Sequence, residues 1–264
     1  DSNNKSNILK NNDNNNPVTL ADLKVNEIII QKIEQKYRSI HWSILSEENV
    51  KLTPYNRNKK TDWLWVLDPL DGTKDFIQGT RNYAMHLALN YKQKPLIGIV
   101  LIPEKDELWI ADGEKVWCEK KNGSRIETNR SKDKKLNEMV LVTSKNHRNS
   151  ILENLIQKIN FEKVIEMGSI GCKIASIVRG ESDIYICLSL PGKSSPKDWD
   201  FASPEAILRA SGGSITDINN RELTYGSKNF EQGGIIVASN NINVHNELCL
   251  EIKRIIEENE LYPL

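Results

Sequence analysis

The feature that most constrains this chain is an apolar segment, residues 63–67, that stops at the sequence D-P-L-D-G of residues 68–72. The pattern predicts a short strand with Asp68 at its end. A turn after this strand can bring the carboxylate of Asp71 to the same side as that of Asp68, because only two residues separate them. The Leu70 carbonyl can add a third oxygen, and hard divalent cations bind such sets of oxygens.

The next two backbone N–H groups, those of Gly72 and Thr73, lie where a short helix can begin, which suits the oxygens of a phosphate. On this interpretation a metal ion and an anion share one loop. The same residues also fit an ordinary type I turn, and the segment by itself does not distinguish the two.

Further acidic residues also fall at the predicted ends of strands or helices. Glu47 and Glu48 end a strand before the D-P-L-D-G segment, Asp200 opens a late helix, and Asp22 begins the first helix. Each has an ordinary alternative: a solvated acidic pair in the first case and a helix cap in the other two. If they converge, they repel one another unless cations fill the space between them.

The net charge and the numbers of histidines and cysteines limit which ligands and metals the protein can bind. The chain of 264 residues has 36 Lys and Arg and 36 Asp and Glu, so no basic field is available to hold a nucleic-acid polymer. The four histidines are scattered, so carboxylates must hold any metal, which favours Mg²⁺ or Mn²⁺. The four cysteines form no CxxC pair, and we expect reduced thiols in a cytoplasmic protein. No run of eighteen apolar residues is present to cross a membrane.

The order of the predicted elements divides the chain into three parts. Residues 1–16 are rich in asparagine and are predicted to form a mobile arm, because they cannot bury apolar area. Residues 17–135 hold an amphipathic helix, short strands and an antiparallel meander, which together predict an N-terminal α+β lobe with the metal-binding loops. Residues 136–264 alternate between strands and helices and predict a C-terminal α/β lobe with the substrate contacts.

Apolar periodicity and turn residues place the elements within each lobe. In the first lobe, Thr19 and Asp22 match a capping box at the start of the first helix, and strands with tight turns follow over residues 83–125. In the second lobe the pattern predicts strands over residues 139–143, 163–166, 183–188 and 234–238, and helices over residues 150–159, 170–179, 201–210 and 244–258.

The motifs occur in an order that resembles one superfamily of phosphatases. P-V-T-L-A-D (residues 17–22), S-E-E (46–48), D-P-L-D-G-T (68–73) and W-D (199–200) are similar to the motifs of the inositol monophosphatase superfamily. The resemblance covers nearly the whole chain, and the combination is specific although each motif alone is weak. That superfamily usually has a helix before the P-V-T segment, where this chain has only the asparagine-rich arm, so we expect either a truncated chain or a trimmed first lobe.

The resemblance implies a fold, a cofactor and a set of roles. The fold is a layered αβαβα sandwich, α+β in its first half and α/β in its second, with the active site between two lobes. Two or three Mg²⁺ ions, which Mn²⁺ can replace, would be bound by Glu47, Asp68, the Leu70 carbonyl, Asp71 and Asp200. The catalytic residues would be Asp22, Glu47 and Thr73, with Asp22 and Thr73 orienting the attacking water. Gly72 and Thr73 would bind phosphate through their N–H groups.

Two further motifs, one shortly after Gly72 and one in the second half of the chain, indicate one branch of the superfamily. K-D-F (residues 74–76) and G-S-I-G-C-K (168–173) resemble the bacterial CysQ-type 3′(2′),5′-bisphosphate nucleotidases. We therefore expect lithium-sensitive hydrolysis of the 3′-phosphate of 3′-phosphoadenosine 5′-phosphate. A second possible substrate is 3′-phosphoadenosine 5′-phosphosulfate, an intermediate of sulfate assimilation. Lys74, Ser169 and Lys173 are the expected substrate contacts, and a helix cap with solvated lysines is the alternative explanation.

Two other functions stay open at this point. An inositol monophosphatase or a fructose 1,6-bisphosphatase of the same superfamily would need the same metal site, and a non-catalytic nucleotide or metal sensor would need only part of it. The expected partner is a small phosphorylated nucleotide, with no nucleic-acid polymer and no membrane, and the expected assembly is a monomer or a homodimer. The sequence does not decide the substrate preference, the oligomeric state or redox control through the cysteines.

Overall fold

A computed structural model describes residues 8–9, 18–52, 61–126, 128, 134–146, 148–227 and 229–263. Within these ranges the chain forms seven α-helices and fourteen β-strands, arranged as two sheets and one short strand pair. The predicted arm, residues 1–16, lies outside the described residues except for Ile8–Leu9 (β1). This strand pairs antiparallel with Val18–Thr19 (β2).

The first helix, Leu20–Lys36 (α1), begins at the predicted capping box. The Thr19 side chain accepts hydrogen bonds from the N–H groups of the first turn, and the Asp22 carboxylate accepts one from the Thr19 N–H at 2.8 Å. A cap of this kind contributes about 1 kcal/mol. Its reciprocal bonds hold the start of the helix and the orientation of the Asp22 side chain at the same time.

The N-terminal part of the chain folds into a seven-stranded sheet whose spatial order follows the sequence. Its strands are Ser43–Ser46 (β3), Trp63–Asp71 (β4), Ala84–Tyr91 (β5), Lys94–Ile102 (β6), Glu107–Ala111 (β7), Val116–Glu119 (β8) and Arg125–Ile126 (β9). The first pair is parallel and each later pair is antiparallel, as the meander over residues 83–125 predicts. Two short helices, Glu47–Leu52 (α2) and Thr73–Gln78 (α3), begin close to strand ends.

The C-terminal part forms a five-stranded sheet and four helices. The strands are Val140–Ser144 (β10), Lys163–Met167 (β11), Ile184–Leu188 (β12), Ser214–Asp217 (β13) and Ile235–Ser239 (β14), in the spatial order β11-β10-β12-β14-β13. The helices are Ser150–Ile159 (α4), Ile170–Val178 (α5), Asp198–Ala210 (α6) and Ile242–Glu258 (α7). Each predicted element of this part is present, with small differences at the ends. The strand β13 was not predicted, because four residues after a Gly-Gly turn carry too little periodicity.

The elements stack in five layers, as the predicted αβαβα sandwich requires. The helices α1 and α2 pack against the seven-stranded sheet, α5 and α6 lie between the two sheets, and α4 and α7 cover the five-stranded sheet. Every residue of α5 is buried, which follows from its place in the middle layer. No helix in the described part of the chain is both long enough and apolar enough to cross a membrane.

Candidate active site

The strand β4 carries two candidate metal ligands, Asp68 and Asp71, near its end. In a regular strand, side chains three residues apart face opposite sides of the sheet. Here Asp68 pairs with His86 and Asp71 pairs with Ala84, so the register shifts by one residue between them. The resulting bulge, which contains Pro69, allows both carboxylates to lie on one side. The loop is therefore a bulge inside the strand instead of the type I turn considered from the sequence.

A third carboxylate joins these two from the C-terminal part of the chain. Asp200 lies in the first turn of α6, and one oxygen from each of Asp68, Asp71 and Asp200 lies within 4.8 Å of the others. Glu47, the first residue of α2, interacts with Asp68. The structure thus brings together the four predicted metal-binding carboxylates from three separate elements. The Leu70 carbonyl belongs to the same loop and lies 3.0 Å from the Thr73 hydroxyl.

This cluster is electrostatically unfavourable without a cation. Burial, and after it repulsion by neighbouring carboxylates, raises the pKa of Asp68 and of Asp200 well above the ordinary range. Burial also raises the pKa of Glu47, although Lys51 opposes that effect. Carboxylates this close together do not all remain charged unless positive charge lies among them. The donor set is entirely oxygen, so it fits a hard cation such as Mg²⁺ or Mn²⁺.

Lys51 supplies positive charge at one edge of the cluster. Its ammonium lies 2.9 Å from the Glu47 carboxylate and 2.9 Å from the Glu48 carboxylate. Burial acts to lower the pKa of Lys51, but the two carboxylates outweigh it and raise that pKa. Glu48 is buried, with 1% of its surface exposed, so the alternative of a solvated acidic pair is wrong.

The predicted pair of Asp22 and Thr73 meets beside the carboxylate cluster. The Thr73 hydroxyl lies 3.3 Å from Oδ1 of Asp22, and the other oxygen of Asp22 is bonded to Thr19. Gly72 precedes α3 with a φ of +88°, in the left-handed region that favours glycine. Since Thr73 is the first residue of α3, the N–H groups of that turn have no partner within the helix.

A cavity of about 890 Å³ lies over the cluster, between the two lobes. Besides the four carboxylates, its lining includes six basic side chains: Lys51, Lys74, Arg148, Lys173, Lys193 and Lys197. Three of the six form ion pairs, namely Lys51, Arg148 and Lys197. Among the described residues, no carboxylate lies within 4 Å of the ammonium groups of the remaining lysines, Lys74, Lys173 and Lys193. The cleft therefore combines a site for cations with lysine side chains that form no ion pair.

Comparison with known proteins shows which family has this arrangement. The model of the inositol monophosphatase family matches residues 1–257. The chain belongs to the inositol monophosphatase family. This assignment confirms the resemblance that the motif order indicates, and it makes the protein a phosphatase of that superfamily.

Individual members of the inositol monophosphatase family support both the fold and the branch. The 3′(2′),5′-bisphosphate nucleotidase CysQ of Buchnera aphidicola is 31% identical over 213 residues, which are 80% of this chain and 75% of that protein. The solved structure of a Thermotoga maritima inositol monophosphatase has a TM-score of 0.74 at 24% identity, covering 96% of this chain and 89% of that one. The solved structure of an inositol monophosphatase/NADP phosphatase complexed with Mg²⁺ and phosphate has a TM-score of 0.73 at 19% identity, covering 93% of this chain and 85% of that one. The two solved structures confirm the fold.

The three predicted substrate contacts of this family member lie in different surroundings. Lys74 lines the cleft. Lys173 also lines it but is almost entirely buried, with its ammonium 2.8 Å from the Gly168 carbonyl, and burial lowers the pKa of Lys173. The Ser169 hydroxyl is buried and donates a hydrogen bond to Asp71 at 2.6 Å. Ser169 is absent from the described lining of the cleft, and its role as a substrate contact stays a prediction.

The structure also adds residues that sequence reasoning missed. His86 of β5 is fully buried, with Nε2 3.3 Å from Oδ2 of Asp71, and Tyr185 and Cys187 of β12 line the cleft. No sequence signal marks them, because a position inside an alternating strand is indistinguishable from an ordinary core position. From the sequence, Asp75 has no role of its own beyond its place in the K-D-F motif. In the structure its buried carboxylate accepts a hydrogen bond from Asn146 of the other lobe at 2.9 Å.

Proposed function

We propose that this phosphatase removes the 3′-phosphate of 3′-phosphoadenosine 5′-phosphate in a Mg²⁺-dependent reaction. The observation that carries the proposal is a set of three lysines, Lys74, Lys173 and Lys193, that line the cleft with the acidic cluster and form no ion pair among the described residues. With Mg²⁺ bound at the cluster, a substrate with one phosphate at the metal site and a second anionic group near these lysines would meet positive charge at both places. Similarity to the Buchnera aphidicola nucleotidase favours a nucleotide over other bisphosphates.

The metal site supports hydrolysis. Glu47, Asp68, Asp71, Asp200 and the Leu70 carbonyl would hold two or three Mg²⁺ ions, or Mn²⁺ in their place. When bound, such ions offset the charge of a phosphate and lower the pKa of a water molecule. The burial of these carboxylates supports this assignment, since without added positive charge they are held in an unfavourable state.

The remaining steps depend on the chain's own residues. The N–H groups of Gly72 and Thr73 would bind phosphate oxygens at the start of α3. The Thr73 hydroxyl has one hydrogen and two acceptors, the Leu70 carbonyl at 3.0 Å and Oδ1 of Asp22 at 3.3 Å. When the hydrogen is given to Asp22, the hydroxyl lone pairs are free to accept a hydrogen bond from the attacking water. Asp22 would then take up the proton at Oδ1, because Oδ2 already accepts bonds from Thr19. Such proton transfer contributes about 10²–10⁴-fold in rate.

Phosphate release by the purified chain with Mg²⁺ tests the proposal. We expect 3′-phosphoadenosine 5′-phosphate to be hydrolysed with a higher kcat/KM than adenosine 3′-phosphate, which lacks the second phosphate, and Li⁺ to inhibit the reaction. Inositol 1-phosphate and fructose 1,6-bisphosphate at equal concentration distinguish the other functions of the superfamily. Preference for either would overturn the nucleotide assignment and leave the metal site in place, whereas nucleotide binding without any turnover would indicate a sensor.

The variant Lys74→Ala examines the second anionic group directly. We expect it to raise the KM for the bisphosphate more than that for adenosine 3′-phosphate, because Lys74 lines the cleft without a carboxylate neighbour. Lys92→Ala is the matched control, since Lys92 is an exposed lysine at a turn between β5 and β6. Equal changes in KM for both nucleotides would show that Lys74 does not recognise the second phosphate.

A further inference from the structure

One oxygen of Asp71 is surrounded by hydrogen-bond donors from the other lobe. Oδ2 accepts the Ser169 hydroxyl at 2.6 Å, the Ile170 N–H at 2.6 Å and the Gly171 N–H at 3.2 Å. These groups form the first turn of α5, whose unpaired N–H groups favour a negative charge. Asp71 therefore lies at the contact between a strand of one sheet and a helix of the middle layer.

His86 approaches the same oxygen from the neighbouring strand. Its side chain is fully buried, and its Nε2 lies 3.3 Å from Oδ2 of Asp71 without hydrogen-bond geometry and without another partner among the described residues. Its Nδ1 lies 3.3 Å from the carbonyl of Trp199, the residue before Asp200. One imidazole thus lies between the end of β4, which carries Asp71, and the first turn of α6, which carries Asp200.

Close packing leaves little freedom in this arrangement. A methyl group added to Gly171 would lie 2.2 Å from Nε2 of His86, so only glycine lets the first turn of α5 approach the imidazole so closely. The Ser169 hydroxyl also caps α5, because it accepts a hydrogen bond from the Cys172 N–H at 3.1 Å. Both the helix and the imidazole are therefore held against Asp71.

We propose that Ser169, His86 and the first turn of α5 are positioning residues that commit Oδ2 of Asp71 to the protein and leave Oδ1 for a metal ion. The inference rests on the proposed function, since Asp71 is taken as a metal ligand. Ser169 then acts through Asp71, not as the substrate contact expected from the sequence. Groups that orient a metal ligand typically change metal affinity about 10–100-fold when they are removed.

The test measures binding of Mn²⁺ alone, from the electron paramagnetic resonance signal of the free ion, without any substrate. We expect Ser169→Gly to weaken Mn²⁺ binding about 10–100-fold. Glycine keeps most of the capping preference, so loss of the cap does not account for the change. Ser176→Ala is the matched control, because Ser176 is a buried serine of the same helix whose hydroxyl bonds to the Lys173 carbonyl and Ser182.

A pair of substitutions at His86 gives an independent measurement. The amide of His86→Gln can reach the place of Nε2 beside Asp71, whereas that of His86→Asn corresponds to Nδ1 beside the Trp199 carbonyl. We expect the asparagine variant to bind Mn²⁺ more weakly than the glutamine variant, with the folded fraction followed by circular dichroism.

The outcomes separate this inference from the proposed function. Unchanged Mn²⁺ affinity in folded Ser169→Gly, with wild-type binding intact, would overturn the positioning role alone. A raised substrate KM at saturating Mg²⁺ with unchanged Mn²⁺ affinity would restore Ser169 as a substrate contact and also overturn it. No Mn²⁺ binding by the wild-type protein would overturn the metal site, and the inference with it.

Discussion

A methyl group on Gly72 would lie 2.8 Å from the backbone oxygen of Asn82. This relationship, together with a φ of +88°, explains why glycine stands at the start of the turn that we propose binds phosphate. Gly72→Ala is therefore expected to lower the free energy of unfolding by the cost of the left-handed backbone, about 1–2 kcal/mol, and by a further amount for the clash. Urea unfolding measures the loss, and phosphatase activity should fall with it.

Gly79→Ala provides the control for Gly72→Ala. Gly79 also has a left-handed φ, +69°, but no atom lies within 4 Å of the place that a methyl group would take. We expect only the backbone cost of about 1–2 kcal/mol and nearly unchanged activity. Equal losses for the two variants would show that the contact with Asn82 is unimportant.

Metal binding should appear as a stabilisation that depends on the carboxylate cluster. Adding Mg²⁺ to the metal-free wild-type protein should raise the Tm, because a ligand that binds only the folded state stabilises it. Asp68→Asn and Asp200→Asn should abolish turnover and lose this response. Without metal, their Tm should equal or exceed that of the wild type, because each substitution replaces a buried carboxyl group, whose ionised form is disfavoured there, with a neutral amide. Full activity of either variant at low Mg²⁺ would disprove the ligand assignment.

The Thr73 hydroxyl should affect the chemical step more than substrate binding. Thr73→Ala is expected to lower kcat about 10²–10⁴-fold with a smaller change in KM, because in the proposed mechanism the hydroxyl, 3.3 Å from Asp22, connects the water to that carboxylate. Thr73→Ser keeps the hydroxyl and should retain most of the activity. Steady-state kinetics with saturating Mg²⁺ provide the measurement, and an unchanged kcat in Thr73→Ala would exclude this role.

The stability of the C-terminal lobe should depend on pH through His245. Burial between Ser239 and Thr216, whose hydroxyls lie 2.7 and 2.8 Å from the two ring nitrogens, lowers the pKa of His245 to about 4. Below pH 6.5 the unfolded chain takes up a proton at this residue that the folded chain does not, so stability falls as the pH is lowered. From pH 7 to pH 5 the loss is about 2 kcal/mol.

The variant His245→Gln isolates this contribution. Other titrating groups affect both proteins alike, so the difference between the two pH profiles of the unfolding free energy belongs to His245. Urea unfolding at pH 7, 6 and 5 should show a smaller decline in the variant. Parallel profiles would mean that His245 is protonated in the folded protein at the same pH as in the unfolded chain.

The sequence by itself was sufficient for most of the elements. Alternation over residues 83–125 and helical spacing over residues 150–159 come from local apolar patterns, so the meander and α4 are predicted closely. The capping box of Thr19 and Asp22 is also local, because both partners lie in one turn. The strand β13 shows the limit, since its place depends on pairing with β14.

The candidate site, too, has features that the sequence predicts and features that only the tertiary structure shows. The order of the motifs determined which residues are candidate oxygen ligands, because a carboxylate at Asp68, Asp71 or Asp200 is a property of the residue itself. Only the tertiary structure decided that a bulge turns two of them to one side, that Lys51 neutralises Glu47, and that Ser169 bonds to Asp71. The Ser169–Asp71 contact joins residues 98 positions apart, and such contacts arise from packing of the layers, which no local pattern records.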